Sequence, residues 1–297
     1  MSLEIASFIL ALNQVKINHQ TKNQTIGADF LLINRSGKIK LFDHLNNTVY
    51  TEASIKDWND NLEKLNRPIF KYFKAPESKL FKNKNGVFIA DELVSASVMG
   101  VYKAQKQKHI YSKVIQAYTK YLINHRCEPQ PEIIQNSYYE IMKYMPENVL
   151  SEYKSYETLI IDYSKRCYLV EAHLDFSIDN FLYDDITVEV FLLDNEDLGL
   201  LLPGMIDVIN LSLNEIYHDR NPFLLNALQN NAFINEIKHI MASNLIHVKE
   251  NDLKLTIFVN CFMRESSYVS SGLKIAGPSY ERIKKRWNSF KMNIRDW

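Results

Sequence analysis

Tyr168-Leu-Val-Glu-Ala-His-Leu-Asp-Phe176 alternates between polar and apolar side chains. As a strand it turns Glu171, His173 and Asp175 to one face and Val170, Ala172 and Leu174 to the other. The next candidate strand repeats the arrangement, with Asp185, Thr187 and Glu189 alternating with Ile186, Val188 and Val190. If the two pair as a hairpin with Asp175 opposite Asp185, Glu171 falls opposite Glu189. Like charges facing each other across a ladder are destabilising. Such a face asks for a divalent cation, a basic partner surface, or another register with water between the acids.

The surrounding charge pattern sharpens this reading. Cys167 to Asp219 holds 12 acids and no Lys or Arg, whereas residues 1–127 carry a net charge of +9 in a chain whose total is zero. Within the basic part, Leu93 to Cys127 has Lys103, Lys106, Lys108, Lys113, Lys120 and Arg126 without one acid. Two outcomes are open. The poles face each other in the fold and neutralise internally, or the acidic segment stays on the surface, where its potential steers a cation or a basic protein toward it.

Length and composition, 297 residues with 46% hydrophobic and 24% charged side chains, describe a globular chain of one large or two smaller domains. With 8 Gly and 8 Pro there is little material for Gly-rich phosphate loops, so most nucleotide-binding folds are not expected. Cys127, Cys167 and Cys261 are far apart and odd in number, which fits a reducing cytoplasm. The opening Met1 to Val15 segment reads as an amphipathic helix, with Glu4 where a signal peptide needs bases. No membrane association and no cofactor are expected.

Hydrophobic periodicity and turn chemistry predict a hairpin from Gly27–Ile33 and Lys38–Phe42 around Asn34-Arg-Ser-Gly37, then a helix capped by Ser54 and stopped by Pro68. A basic helical pattern runs from Asp91 to about His125, and a shorter helix leads to Pro146. Beyond it, strands are expected at Thr158–Ile161, Cys167–Phe176 and Ile186–Leu193, and helices at Pro203–Tyr217 and Pro222–Ser243. Strands follow at Asn244–Val248, Leu253–Met263 and Tyr268–Ala276, and a basic helix starts at Pro278. The order lacks regular strand-helix alternation and predicts an α+β fold of mainly antiparallel sheets with packed helices. Two subdomains are expected, residues 1–145 and 146–297.

For chemistry, one reading is a divalent-metal nuclease or hydrolase using Asp162, Glu171 and His173. This stretch is similar to the core hairpin of the restriction-endonuclease-like family, but His173 stands where that family has lysine and no base follows until Arg220. An acidic region receives nucleic acid poorly. Tyr102, Tyr111, Tyr118 and Tyr121 among the lysines of the basic helix could form a nucleic-acid stripe. Their spacing fits a buried apolar face with snorkelling lysines better. Cys127 beside His125 and Arg126 lacks a positioned base, and His218-Asp219-Arg220 reads as a polar helix-joining loop.

The second half, with strands, an acidic edge, two helices and strands ending in Val269-Ser-Ser-Gly-Leu-Lys-Ile275, resembles the α+β domains of bacterial toxin-immunity proteins. The resemblance implies a non-catalytic bacterial protein that binds and blocks a basic partner. On this expectation Glu171, Asp175, Asp185 and Glu189 form the partner-binding face. A structural subunit without small-molecule chemistry is the remaining alternative.

Overall fold

The computed structural model describes residues 17–20, 25–28, 30–33, 38–83, 86–143, 147–194 and 198–217, together with helical residues 235, 239, 255–260 and 262–263. A short hairpin, β1 (Ile17–Gln20) with β2 (Thr25–Ala28), precedes a five-stranded antiparallel sheet. Its strands are β3 (Phe30–Ile33), β4 (Ile39–Asp43), β5 (Thr48–Ala53), β6 (Ser78–Asn83) and β7 (Gly86–Glu92), in the order β3-β4-β5-β7-β6. The predicted hairpin is β3-β4, with Phe30 opposite Phe42 and Ile33 opposite Ile39.

Helix α1 (Ile55–Leu65) is inserted between β5 and β6. It starts at Ser54 because a capping box satisfies the free amides there: Asp57 N donates to Ser54 Oγ at 3.1 Å, and Ser54 N donates to Asp57 Oδ2 at 2.7 Å. These bonds, with Lys38 at 3.1 Å, hold the Asp57 carboxyl down to about 2. Pro68 opens a single 3₁₀ turn, Pro68–Lys71, whose Ile69 is fully buried and which leads to the equally enclosed Phe73.

After the two-residue β8 (Ser97–Val98) the chain becomes helical: α2 (Ala104–His125), α3 (Pro131–Met142), α4 (Glu147–Lys154) and α5 (Glu157–Ser164). Along α2 the residues Ile110, Val114, Tyr118, Tyr121 and Leu122 recur at helical spacing and are buried, so its tyrosines belong to the core. Two small sheets follow. One pairs β9 (Leu169–Ala172) with β12 (Leu200–Pro203); the other has the order β11-β10-β8, with β10 (Phe181–Tyr183) and β11 (Val190–Leu192). Helix α6 (Ile206–Tyr217) follows, and the helical residues 255–260 and 262–263 pack in the same core. The fold is α+β with antiparallel sheets, as the element order predicts.

Two predicted strands are helical. Thr158–Ile161 lies in α5, and residues 255–260 and 262–263, within the expected strand Leu253–Met263, are helical and buried. A short apolar run enclosed on all sides carries no period to separate the two states. The expected N-terminal helix, the strands at Asn244–Val248 and Tyr268–Ala276, and the helix from Pro278 lie outside the described residues. So does the helix Pro222–Ser243, apart from residues 235 and 239. Among the described residues no helix is long and apolar enough to cross a membrane.

Candidate active site

The alternating segment is a strand only as far as Ala172. Its partner is β12, with Glu171 opposite Leu201, so the predicted hairpin that set Glu171 against Glu189 does not form. At Leu174 the backbone takes φ +66°, a left-handed conformation that L-residues avoid, and the chain leaves the sheet. What holds that conformation is Asp207 on α6, fully buried. Its carboxylate accepts His173 N at 2.8 Å and Leu174 N at 2.9 Å. The Tyr118 hydroxyl lies 3.2 Å from the same carboxylate and donates to the Gly204 carbonyl oxygen at 2.9 Å, so α2 and α6 brace the loop jointly. Charge-assisted bonds of this kind persist in the interior because they offset the desolvation of the carboxylate.

Beyond the bend, His173-Leu-Asp175-Phe-Ser-Ile-Asp-Asn180 folds into a tight loop. Asn180 Nδ2 donates to the Asp175 carbonyl oxygen at 2.8 Å and to Asp175 Oδ2 at 2.9 Å, which aligns the two half-buried side chains. Leu193 N donates to the Asn180 carbonyl oxygen at 2.9 Å, so the exposed Asp194 follows one residue from the loop's end. Asp194 also has a positive φ, +56°. Phe176 anchors the loop from below, with ring centres 5.0 Å from Tyr118 and 4.7 Å from Phe181.

His173 is completely buried, and burial pushes its imidazole down to about 4 against the opposing charge of Asp175. It is therefore a neutral ring at pH 7, packed edge-on against Phe176. The loop is tied to the segment carrying Asp194 by the Leu193 N to Asn180 carbonyl bond rather than by the imidazole.

The other predicted acids are used inside the molecule. Glu171 Oε1 pairs with Arg67 at 2.6 Å, Asp185 with Lys106 at 2.5 Å and Glu189 with Lys74 at 3.3 Å. Arg67 also reaches Glu63 on α1 at 2.5 Å, forming a bridge from α1 to β9. The expected strand at Ile186–Leu193 begins only at Val190, because Asp184 closes a turn: Ile186 N donates to its Oδ1 at 2.7 Å, and Val188 takes φ +62°. The two charge poles thus meet at these three pairs. Nor is the nuclease set assembled: Asp162 lies on α5 beside Arg166 at 3.1 Å, away from the strand that carries Glu171. Among the described residues no group of three or more His, Cys, Asp or Glu is placed to hold a metal ion.

No protein-family profile and no curated protein matches the sequence. Solved structures do. A choline/ethanolamine kinase family protein from Mesorhizobium loti aligns with a TM-score of 0.50 at 12% identity, over 86% of this chain and 84% of that one. The fold is a two-lobed kinase fold. The choline kinase LicA from Streptococcus pneumoniae aligns at TM-score 0.48 and 13% identity, over 86% and 89% of the two chains. The amicoumacin kinase hAmiN aligns at 0.47 and 11%, over 98% and 94%.

This fold corrects the toxin-immunity resemblance, which rested on the succession of elements in the second half alone. A non-catalytic protein that blocks a basic partner through Glu171, Asp175, Asp185 and Glu189 is corrected with it. Three of those acids already have cationic partners in the same chain, and the fourth, Asp175, is bonded by Asn180 within a tight loop. That loop was visible in the sequence. His-x-Asp-x₄-Asn is the spacing of a kinase catalytic loop, and a further Asp follows after a short hairpin.

Proposed function

We propose that this protein is a phosphotransferase that moves the terminal phosphoryl group of a nucleoside triphosphate to a hydroxyl of a small molecule. The observation that carries the proposal is the His173-x-Asp175-x₄-Asn180 loop, pinned through its backbone by Asp207 and joined to Asp194. In such a loop the Asp accepts the proton of the attacking hydroxyl while the new P–O bond forms and the bond to the leaving diphosphate breaks. Asp175 is assigned that role, and Asn180 holds its carboxylate in one orientation.

The donor set suits Mg²⁺. With Asn180 Nδ2 committed to Asp175, its amide oxygen and the Asp194 carboxylate supply hard oxygen ligands, and Mg²⁺ commonly takes only one or two such protein ligands beside water and phosphate. When bound there, the ion would neutralise charge on the phosphates. His173 stays neutral and packs edge-on against Phe176 beneath the loop. The M. loti relative's name points to small hydroxyl-bearing acceptors, and a cytoplasmic location, where nucleoside triphosphates are abundant, belongs to the same proposal.

The chain departs from the kinase pattern in its sheet lobe. The third sheet strand, β5, has the sequence Thr-Val-Tyr-Thr-Glu-Ala and lacks the lysine that pairs with phosphates in protein kinases. Lys40 on β4 stands directly opposite Thr51 and supplies a cation on the neighbouring strand. The β3-β4 connection, Asn34-Arg-Ser-Gly37, has one glycine where a kinase phosphate loop has three.

The test is transfer of labelled γ-phosphate from MgATP to a panel of amino alcohols and hydroxylated amines. Asp175→Asn is expected to lower kcat by about a hundredfold or more while leaving MgATP affinity within about threefold. Absence of both MgATP binding by calorimetry and phosphoryl transfer across the panel would overturn the proposal.

A further inference from the structure

A second concave site lies away from the catalytic loop, between the segment that follows α1, the outer face of α2 and the β10-β11 turn. It encloses about 460 Å³, and neither Asp175, Asn180 nor Asp194 lines it. Phe70, Phe73 and Val190 form apolar walls, while Lys71, Lys113 and Lys120 converge on it. Lys113, Gln116 and Lys120 are spaced three and four residues apart on α2 and so share one helical face. Lys71 faces them from the 3₁₀ turn.

No ion pair engages Lys71, Lys113 or Lys120 among the described residues, in contrast to Lys74 and Lys106, which have acidic partners. The lining contains a single acid, Glu189, which is occupied by Lys74. The frame is rigid: Lys74 N donates to the Val190 carbonyl oxygen at 3.0 Å and Leu192 N to that of Lys74 at 2.9 Å, locking the segment onto β11. Three cations bordering one concavity beside apolar walls give it a positive potential that an anion would offset.

We propose that this pocket binds a small molecule bearing two or more phosphate groups. Lysine ammoniums act as point-charge phosphate ligands, and three of them around one cavity exceed what a single carboxylate can use. The volume fits a small metabolite. The assignment stands independently of the phosphotransferase reading, since it shares no residue with the catalytic loop.

The test is isothermal titration in low salt with EDTA present, using inorganic tripolyphosphate in one arm and fructose 1,6-bisphosphate in the other. The expected result is one site per chain for at least one probe, and the ratio of affinities tells an inorganic from an organic ligand. Replacing Lys71, Lys113 and Lys120 together by Gln is expected to weaken binding at least about tenfold, with an unchanged melting temperature. Glu189→Gln, which frees Lys74, is expected to tighten it by about threefold, and Asp175→Asn to leave it unchanged. Silence of both probes at millimolar concentration, or equal binding by the triple variant, would refute the site.

Discussion

In the five-stranded sheet the buried apolar residues are Leu41 and Phe88, with Leu31, Ile39, Tyr50 and Phe81 packed on them. In the helical lobe Phe73, Tyr118, Phe176 and Phe181 are enclosed around a loop whose backbone is held by a buried carboxylate. The sheet is held chiefly by its ladder and by local bonds such as Asn46 N to Asp43 Oδ1 at 3.0 Å. Both regions draw on distant partners, since β5 and β7 pair residues 34 to 44 positions apart, but only the loop is fixed by a fully buried carboxylate set in a deep core. The part of the molecule that must hold the proposed chemistry still has by far the larger enclosed core, and the sheet, with Leu41 and Phe88 as its buried apolar residues, is left as the more yielding partner.

That contrast can be broken most directly at Asp207. Asp207→Ala removes the acceptor of two charge-assisted bonds and leaves buried amides unpaired, so chemical denaturation should show a loss of about 3–5 kcal/mol; a loss below about 1 kcal/mol would mean the loop holds its shape unaided. His173 comes next. Its folded value of about 4 lies below the ordinary 6.5, so the unfolded chain binds the extra proton first. Its contribution is intact above pH 6.5 and declines by about 1.4 kcal/mol per unit as the pH falls toward 4. His173→Gln should flatten that part of the stability curve, whatever its stability at neutral pH.

In the sheet, Leu41→Ala should cost about 2 kcal/mol, at the low end for buried leucine because its cluster is small. Hydrogen exchange should accelerate in β4, β5 and β7 and stay unchanged in α2 and α6. The smallest effect is expected where the two regions meet. Arg67→Met breaks the Glu63-Arg67-Glu171 bridge, and since these side chains are partly exposed the loss should be about 1 kcal/mol. Glu171→Gln in the Arg67→Met background should recover part of it by removing the unpaired charge, and a thermal-melt comparison of the two variants checks this.

Several elements were legible from residues alone because their determinants are local. Ser54 and Asp57 mark the start of α1, Pro68 its end, and the turn residues Asn34 to Gly37 the β3-β4 hairpin. The apolar spacing of α2 correctly sent Tyr118 and Tyr121 inward. The site does not follow the period that its sequence suggests. Alternation at Glu171, His173 and Asp175 suggested a continuous strand, yet the left-handed Leu174 ends it, and the force that stabilises Leu174 comes from α6. The scarcity of glycine bears on Gly-rich phosphate loops and not on Leu174, whose left-handed conformation is held by a buried carboxylate on its amide.

By itself, the sequence determined part of the local framework: where α1 starts, where the β3-β4 hairpin turns, which face of α2 is apolar, and that acids concentrate between Cys167 and Asp219. Tertiary structure alone decided what those residues can do. Whether Glu171, Asp185 and Glu189 attract an outside partner depends on whether Arg67, Lys74 and Lys106 reach them, and those partners lie far away along the chain. Charge interactions act through space, so a count of acids along the chain does not tell which of them the fold has already neutralised.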